Sequence, residues 1–274
     1  MKKFFNRYGN ISRLVLFTVL VVSALILSGY VNSFPKLAEY FPFVGTILVV
    51  IANWIMYRTE KKNLTALGFD LNKRNVLFLP LGLFLGMVAF LTGFYFRTFV
   101  TGENLNINEK VNIANIFKQL YWVLPTAAVQ QFIVYGYGFR KVIAMSNVTI
   151  AVFVCGALFI SMHNIWNGNM IGALVYAATL FIGHLMFCGA QLKSGTIYFS
   201  IGLHWGNNFT TSNLLTEGRK DTSLLFTTSP NPMNSYIQLI LTVLLANIGF
   251  IILAIIIWRW RRQRSTNTQQ SVLQ

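Results

Sequence analysis

Long apolar runs alternate with short polar connections along this chain, and few charges fall inside the runs. A helix that spans a membrane needs about 20 mainly apolar residues. Segments that meet this length are residues 12–31, 40–57, 76–99, 119–139, 143–163, 170–190, 196–213 and 235–258. The pattern predicts an all-α integral membrane protein with about eight transmembrane helices.

Composition strengthens this prediction. The 274 residues are 55% hydrophobic and 11% charged, with a mean hydropathy of +0.57, whereas soluble domains carry about 25% charged residues. We find no internal repeat, no long linker and no low-complexity tract beyond the polar tail at residues 265–274. We therefore expect one membrane domain over residues 1–274, with the lipid bilayer as its main partner.

The first apolar segment resembles a secretory signal, since it follows Met1-Lys2-Lys3. Its apolar core from Leu14 to Val31 is longer than a typical signal, and no small-x-small cleavage site follows it. We expect this segment to be a retained helix.

The distribution of lysine and arginine predicts the orientation. With a cytoplasmic N-terminus and eight spans, most of the 22 basic residues fall in cytoplasmic connections and tails, as the positive-inside rule requires. The six that would face outward are Lys36, Arg97, Lys110, Lys118, Arg219 and Lys220. Both termini are predicted to be cytoplasmic, in a multi-pass protein of the cell membrane.

The net charge of +15 is explained by the basic residues of the cytoplasmic connections and tails, which are attracted to anionic lipid head groups. No nucleic-acid-binding motif accompanies the charge, so we expect no nucleic-acid partner. Cys155 and Cys188 lie in different apolar segments and are expected to be buried small side chains rather than part of a disulfide framework.

Polar residues interrupt three apolar segments, while the seven acidic residues lie in loops or near segment ends. The interruptions are Gln130-Gln131 with Tyr135-Gly136, then Phe159-x-x-x-His163, then His204-x-x-x-Asn208. Polar groups at membrane depth are costly and usually functional. Each could also simply hydrogen-bond a neighbouring helix, for roughly 0.6–2 kcal/mol; the ordered set of three favours a shared site.

This set resembles the CPBP family of intramembrane endopeptidases, the CAAX-protease and bacteriocin-processing group also called Abi. The family pattern is Glu-Glu-x-x-x-Arg-Gly, then Phe-x-x-x-His, then His-x-x-x-Asn/Asp, and the resemblance covers about residues 119–213. It implies a CAAX-protease-like helix bundle, with His163, His204 and Asn208 at the family's catalytic positions and no required cofactor or metal. In the family, the first glutamate and a histidine are thought to activate water, and the second histidine and the Asn/Asp to stabilise the oxyanion.

The first motif departs from the family. Gln130 and Gln131 replace the two glutamates and Tyr135 replaces the arginine, while Gly136 is kept. An amide cannot accept a proton as a carboxylate does, and general-base catalysis contributes about 10²–10⁴-fold. Because the two glutamates and the arginine are replaced together, no buried arginine is left without a carboxylate partner. An engineered replacement of the two glutamates by glutamine would have left the arginine in place. The presence of Tyr135 at that position therefore argues against such engineering.

Two other roles for the histidines remain open at this point. His163 or His204 could act as the base alone, with Gln130 orienting the water. His184 matches no motif, and with His163 and His204 it would supply enough ligands for zinc, although the scattered spacing makes us expect no metal. On the predicted topology His163 falls near the outer end of its helix, so convergence of the three clusters requires a shifted or kinked helix.

Three functions are compatible with these observations. The first is a catalytically impaired homologue that binds a hydrophobic peptide or a membrane protein partner, of the bacteriocin self-immunity type. The second is an active endopeptidase that uses His163 and His204 on a peptide or prenyl-type substrate. The third is a transporter or channel, which the lack of intramembrane Asp, Glu, Lys and Arg disfavours.

Overall fold

The computed structural model of the chain describes residues 2–166, 168–217, 223–228 and 236–260. Helices dominate this part of the chain, which confirms the all-α prediction. They are α1 (Lys2–Asn32), α2 (Pro35–Tyr40), α3 (Val44–Thr59), α4 (Lys73–Thr101), α5 (Ile113–Tyr135), α6 (Tyr137–Met145), α7 (Val148–Ser161), α8 (Met170–Ser194), α9 (Ile197–Phe209), α10 (Tyr236–Ala246) and α11 (Ile248–Arg259). A 3₁₀ turn, Leu64–Leu67, precedes α4, and a π-helical turn, Thr210–Leu214, follows α9.

A small sheet joins three of the connections. Its strands are β1 (Asn104–Ile107), β2 (Leu215–Glu217) and β3 (Leu225–Thr228), in the order β1-β3-β2. β3 is antiparallel to β1 and parallel to β2. This sheet was not predicted, because each strand is too short to show an alternating pattern.

Within the described residues, three helical stretches are long and apolar enough to cross a membrane, namely Gly9–Asn32, Lys73–Thr101 and Met170–Ser194. Three shorter helices, Val44–Thr59, Val148–Ser161 and Ile248–Arg259, are also apolar. Length and composition thus indicate a membrane protein.

The predicted segments differ from the helices mainly at breaks. Segment 119–139 is divided at Gly136 between α5 and α6, and segment 235–258 is divided at Asn247 between α10 and α11. Segment 143–163 was wrong at both ends, because α7 begins at Val148 and ends at Ser161. Several predicted features lie outside the described residues: the polar tail at 265–274, position 235, and Arg219, Lys220, Asp221, Arg261, Arg262 and Arg264.

Close packing of α4 on α9 fixes the position of the third polar cluster. A Cβ added to Gly86 would lie 2.3 Å from the main-chain oxygen of Leu203, and one added to Gly206 would lie 2.1 Å from that of Leu83. Only glycine permits such approach of two helix backbones. Because His204 lies between Leu203 and Gly206, these contacts hold its helix against α4.

Buried apolar side chains form two clusters. One includes Phe159, Phe187 and Leu203, from α7, α8 and α9. The other includes Met56 and Phe132, from α3 and α5. Since Met162 packs against both clusters, the segment that carries His163 lies where they meet.

An ionic cluster joins α1, α3 and α6. One carboxylate oxygen of Glu60, just after α3, lies 3.0 Å from Nη1 of Arg13 and accepts a hydrogen bond from the Tyr137 hydroxyl at 2.6 Å. Lys141 donates to the same oxygen. Burial raises the pKa of Glu60, but the hydrogen bonds from Lys141 and Tyr137 and the charges of Lys141 and Arg13 outweigh it, so the pKa is lowered.

Candidate functional site

The Phe159 ring brings the three histidines together. Its centroid lies 4.8 Å from the ring of His163, 5.8 Å from that of His204 and 6.2 Å from that of His184. α7 ends at Ser161, so His163 lies in the turn that follows this helix, and its ring contacts the same Phe159 ring as that of His204.

His204 is held by two amides and one aromatic ring. Gln131 Nε2 lies 2.8 Å from Nδ1 of His204, and Asn208 Nδ2 lies 3.0 Å from Nε2. The Phe187 ring stacks on the imidazole with centroids 4.8 Å apart. The first and third motifs therefore meet directly, through a side-chain contact between α5 and α9.

The two amides occupy both ring nitrogens of His204. A neutral imidazole has one N–H donor and one acceptor nitrogen. Both contacts are made by amide nitrogens, so one amide donates to the acceptor nitrogen of the ring, and the other would have to turn its oxygen toward the ring N–H to accept from it. His204 is 2% exposed and Gln131 is 0% exposed, so in this arrangement the acceptor nitrogen of His204 does not face a water molecule.

His163 is held differently and has one unused nitrogen. Its Nδ1 lies 2.8 Å from the main-chain oxygen of Phe159. A carbonyl oxygen can only accept, so Nδ1 carries the proton and Nε2 carries a lone pair. Nε2 makes no hydrogen bond to the described residues, and the side chain is half-buried. Of the two histidines in the family-like motifs, His163 is thus the one with an available acceptor.

His184 is a structural connection between helices. Its Nε2 lies 2.9 Å from the main-chain oxygen of Val152, which requires a proton on Nε2. Its Nδ1 therefore accepts from the Tyr135 hydroxyl, at 2.7 Å. Tyr135 thus binds His184, and both nitrogens of His184 are used between α5, α7 and α8.

Asn53 explains the glycine that the first motif keeps. Its side-chain oxygen accepts a hydrogen bond from the main-chain nitrogen of Tyr137 at 2.7 Å, and its nitrogen donates to the oxygens of Val49 and Phe132 at 2.9 and 3.2 Å. A Cβ on Gly136 would lie 2.2 Å from that side-chain oxygen. Gly136 therefore makes room for the amide that spans the break between α5 and α6.

The predicted site residues have graded exposure. Gln131 and His204 are buried, while Gln130, His163 and Asn208 are half-buried. Among the described residues, the side-chain oxygens of Gln130 and Gln131 are buried without a hydrogen-bond partner. The structure thus gathers Gln131, His163, His204 and Asn208, but shows no hydrogen bond from Gln130 to any of them.

The hydrogen-bond partners of the three histidines are amides, a phenol and main-chain oxygens. No carboxylate is among these partners within residues 2–166, 168–217, 223–228 and 236–260. The same residues contain no group of three or more His, Cys, Asp or Glu side chains arranged to hold a metal ion. The arrangement can donate and accept hydrogen bonds, but it holds no anionic base.

Sequence reasoning missed the residues that hold the site together. Phe187 is one of many apolar residues in its segment, and Gln191 is a single polar residue near the end of the same segment. Neither belongs to a motif whose spacing would have marked it as a site residue. Phe187 stacks on His204, and Gln191 Nε2 donates to the main-chain oxygen of Tyr135 at 2.8 Å. Asn53 was missed as well, although a polar amide in an otherwise apolar segment was a usable signal.

Comparison with protein-family models, with curated proteins and with solved structures finds no match to this chain.

Proposed function

We propose that this chain is a multi-pass protein of the cell membrane with a CAAX-protease-like site that binds a hydrophobic peptide or a membrane protein partner without cleaving it. The proposal includes about eight transmembrane helices and two cytoplasmic termini. A role of the bacteriocin self-immunity type follows from the resemblance to the CPBP family. The basic residues concentrated on one predicted side support the orientation.

The contact between Gln131 and His204 carries this proposal. In a protease of this type two carboxylates are expected beside the histidines, and the first of them removes a proton from water. Here both positions hold amides, Gln130 and Gln131, which cannot act as a base, and Nε2 of Gln131 lies 2.8 Å from Nδ1 of His204. The pair therefore supports recognition by hydrogen bonding rather than hydrolysis.

The surroundings of His163 support an apolar ligand. Just after His163, the side chains of Trp166 and Met170 are 59% and 61% exposed. His163 and Asn208 supply half-buried polar groups, so a ligand that approaches them would also contact apolar side chains. Ligand sites typically combine apolar surroundings with a few placed polar groups, and the exposed apolar side chains near His163 fit that composition.

The free nitrogen of His163 favours a second candidate function. Because Nε2 has a lone pair and no partner among the described residues, His163 could remove a proton from water without a glutamate. The chain would then be an active intramembrane endopeptidase, with His204 and Asn208 binding the oxyanion.

A variant with the family's charges restored distinguishes the two candidates. The unaltered protein and the variant Gln130→Glu/Gln131→Glu/Tyr135→Arg are purified in detergent and incubated with a broad peptide library, and products are measured by mass spectrometry. We expect cleavage only by the variant, at least 10²-fold above the unaltered protein, because a general base typically contributes this much.

The control is the same variant with His163→Leu added, which should remove the gained cleavage. If the unaltered protein cleaves and His163→Leu abolishes it, the non-catalytic proposal is wrong and the second candidate is correct. If neither protein cleaves, binding is measured with the same library immobilised. We then expect selective retention of apolar peptides by the unaltered protein, weakened by His163→Leu or Asn208→Leu; the absence of retention would contradict the proposal.

A further inference from the structure

β1 is an edge strand of the three-stranded sheet. Its partner on one side is β3, with Asn104 opposite Thr228 and Ile107 opposite Leu225. No described strand lies on its other side. A sheet edge presents a row of unpaired N–H and C=O groups that can pair with another extended chain.

The hydrogen-bond pattern identifies which residues face this open edge. The main-chain nitrogen of Asn108 donates to the oxygen of Leu224 at 2.9 Å, and this pair continues the β1–β3 register. Hydrogen-bonded pairs alternate along an antiparallel ladder. Asn104 and Asn106 therefore direct their main-chain groups to β3, while Leu105 and Ile107 direct theirs to the open edge.

Leu105 and Ile107 also have exposed side chains. They are 51% and 71% exposed, and they project on the same side of the strand because successive side chains alternate. Outside the sheet ladder, their main-chain groups make no hydrogen bond to the described residues. The edge thus combines four main-chain hydrogen-bonding groups with two accessible apolar side chains.

We propose that an extended, apolar peptide segment binds along β1 as an added strand. The inference rests on the proposed function, and it names how the peptide ligand would be held. Adding a strand to an open edge satisfies its main-chain groups and leaves alternate side chains for apolar contacts. Lipid chains cannot serve as the occupant, because they offer no hydrogen-bond partners.

The sheet is continuous with the candidate site, which favours the peptide of that site as the occupant. The π-helical turn and then β2 follow α9, so Leu215 comes seven residues after Asn208 along the chain. The main-chain oxygen of Asn213 also accepts a hydrogen bond from the nitrogen of Leu224, at 3.3 Å. A peptide on β1 would therefore join, at the edge opposite β2, a sheet whose strand β2 follows the helix carrying His204 and Asn208.

A matched pair of peptides tests the main-chain pairing. The first is a fluorescein-labelled heptapeptide, Lys-Thr-Val-Thr-Val-Thr-Lys, and the second is the same peptide N-methylated at both valines. Binding to the unaltered protein in lipid nanodiscs is measured by fluorescence anisotropy. We expect the methylated peptide to bind at least tenfold more weakly, since each lost main-chain pair also leaves a buried group unsatisfied. Equal binding of the two peptides, or no binding of the first, would overturn strand addition.

A proline exchange tests the location. Leu105→Pro removes one outward N–H without removing a hydrogen bond to β3, and proline is tolerated on edge strands with that geometry. The control is Glu109→Pro, which places proline at the second position of the turn that Asn108 and Val111 close, where it is favoured. We expect about tenfold weaker binding with Leu105→Pro and no change with Glu109→Pro. If Leu105→Pro does not fold, the methylated peptide still decides.

The outcomes separate this inference from the proposed function. If Leu105→Pro binds normally and His163→Leu does not, the site is supported and strand addition is wrong. If Leu105→Pro weakens binding and His163→Leu has no effect, the edge binds the peptide and the proposed site does not. A dimer of the unaltered protein that becomes a monomer with Leu105→Pro, measured by light scattering, would show that a second copy occupies the edge and would overturn the inference.

Discussion

The amide of Asn53 replaces main-chain hydrogen bonds that are lost where α5 ends and α6 begins. It is fully buried, and it satisfies the nitrogen of Tyr137 and the oxygen of Phe132 across the break. Gly136 is required there because a side chain would collide with this amide. Asn53 and Gly136 together therefore tie the C-terminal end of α5, the helix that carries Gln131, to α3.

The first prediction concerns this amide. Asn53→Leu should lower the free energy of unfolding by about 2–4 kcal/mol, because it leaves buried main-chain groups without partners. Thermal unfolding in detergent measures the loss. The control is Ile51→Leu, an exposed position on the same helix, which should change the melting temperature little. A stable Asn53→Leu protein would show that water or another group satisfies the break.

His184 illustrates how far residue-level reasoning from sequence could go. For polar residues inside apolar segments the sequence left open a hydrogen bond to a neighbouring helix, and His184 makes such bonds. The sequence could not show that Tyr135 is its partner. That pairing depends on the rotation of α5 relative to α8, which no local pattern specifies.

At the scale of helices, the contact between α4 and α9 positions the second histidine. Gly86 and Gly206 allow main-chain atoms of the two helices to touch. In membranes such close approach is a main source of helix association, because lipid offers no hydrophobic drive between apolar helices.

The second prediction tests this contact. Gly86→Ala should destabilise the protein by about 1–3 kcal/mol, since its Cβ would meet a main-chain oxygen that cannot move alone. Gly29→Ala on α1 is the matched control, because nothing lies within 4 Å of its added Cβ. We expect unchanged or slightly higher stability for Gly29→Ala, owing to its better helix propensity. Melting temperatures of the two variants in the same detergent make the comparison; equal values would contradict a tight contact.

Apolar periodicity predicted the presence of the main helices but not their breaks. A side-chain amide lies at each break: that of Asn53 bridges the break at Gly136, and Asn247 itself separates α10 from α11. Asn247 Nδ2 donates to Thr179 Oγ1 at 3.0 Å and to the oxygen of Val243 at 2.8 Å. An apolar run that contains one asparagine is predicted as a single helix, because hydropathy is averaged over many residues and one polar residue changes the average little.

At the scale of the whole molecule, Glu60 connects α1, α3 and α6, which come from distant parts of the sequence. Its carboxylate binds Arg13 of α1 and both Tyr137 and Lys141 of α6. A hydrogen-bonded, partly buried carboxylate with two cationic partners stabilises the folded state only while it is ionised.

The third prediction follows from the lowered pKa of Glu60. A carboxylate whose pKa is lower in the folded state contributes stability above its unfolded pKa, about 4.3, and loses that contribution as the pH falls through its folded pKa. Glu60→Gln should therefore be less stable than the unaltered protein at pH 7, and the difference should shrink below about pH 4.3. Melting temperatures from pH 7 down to pH 3 measure this.

Glu39→Gln is the control for the pH series. Glu39 pairs with Lys118 at 3.2 Å, and both side chains are about half exposed, so the pair should contribute little. A difference between Glu60→Gln and the unaltered protein that stays constant across the pH range would contradict the ionic role of Glu60.

The sequence by itself determined the class of this protein, because apolar runs and scarce charge suffice to specify buried or lipid-facing helices. It also supplied the candidates Gln131, His163, His204 and Asn208, since polar residues in apolar helices are conspicuous. The tertiary structure alone decided which of these meet. In the structure Gln131 contacts His204, Tyr135 binds His184, and one nitrogen of His163 has no hydrogen-bond partner among the described residues. Those outcomes depend on helix rotation, on backbone contact at glycines and on breaks made by distant amides, which are properties of packing between segments and not of any segment alone.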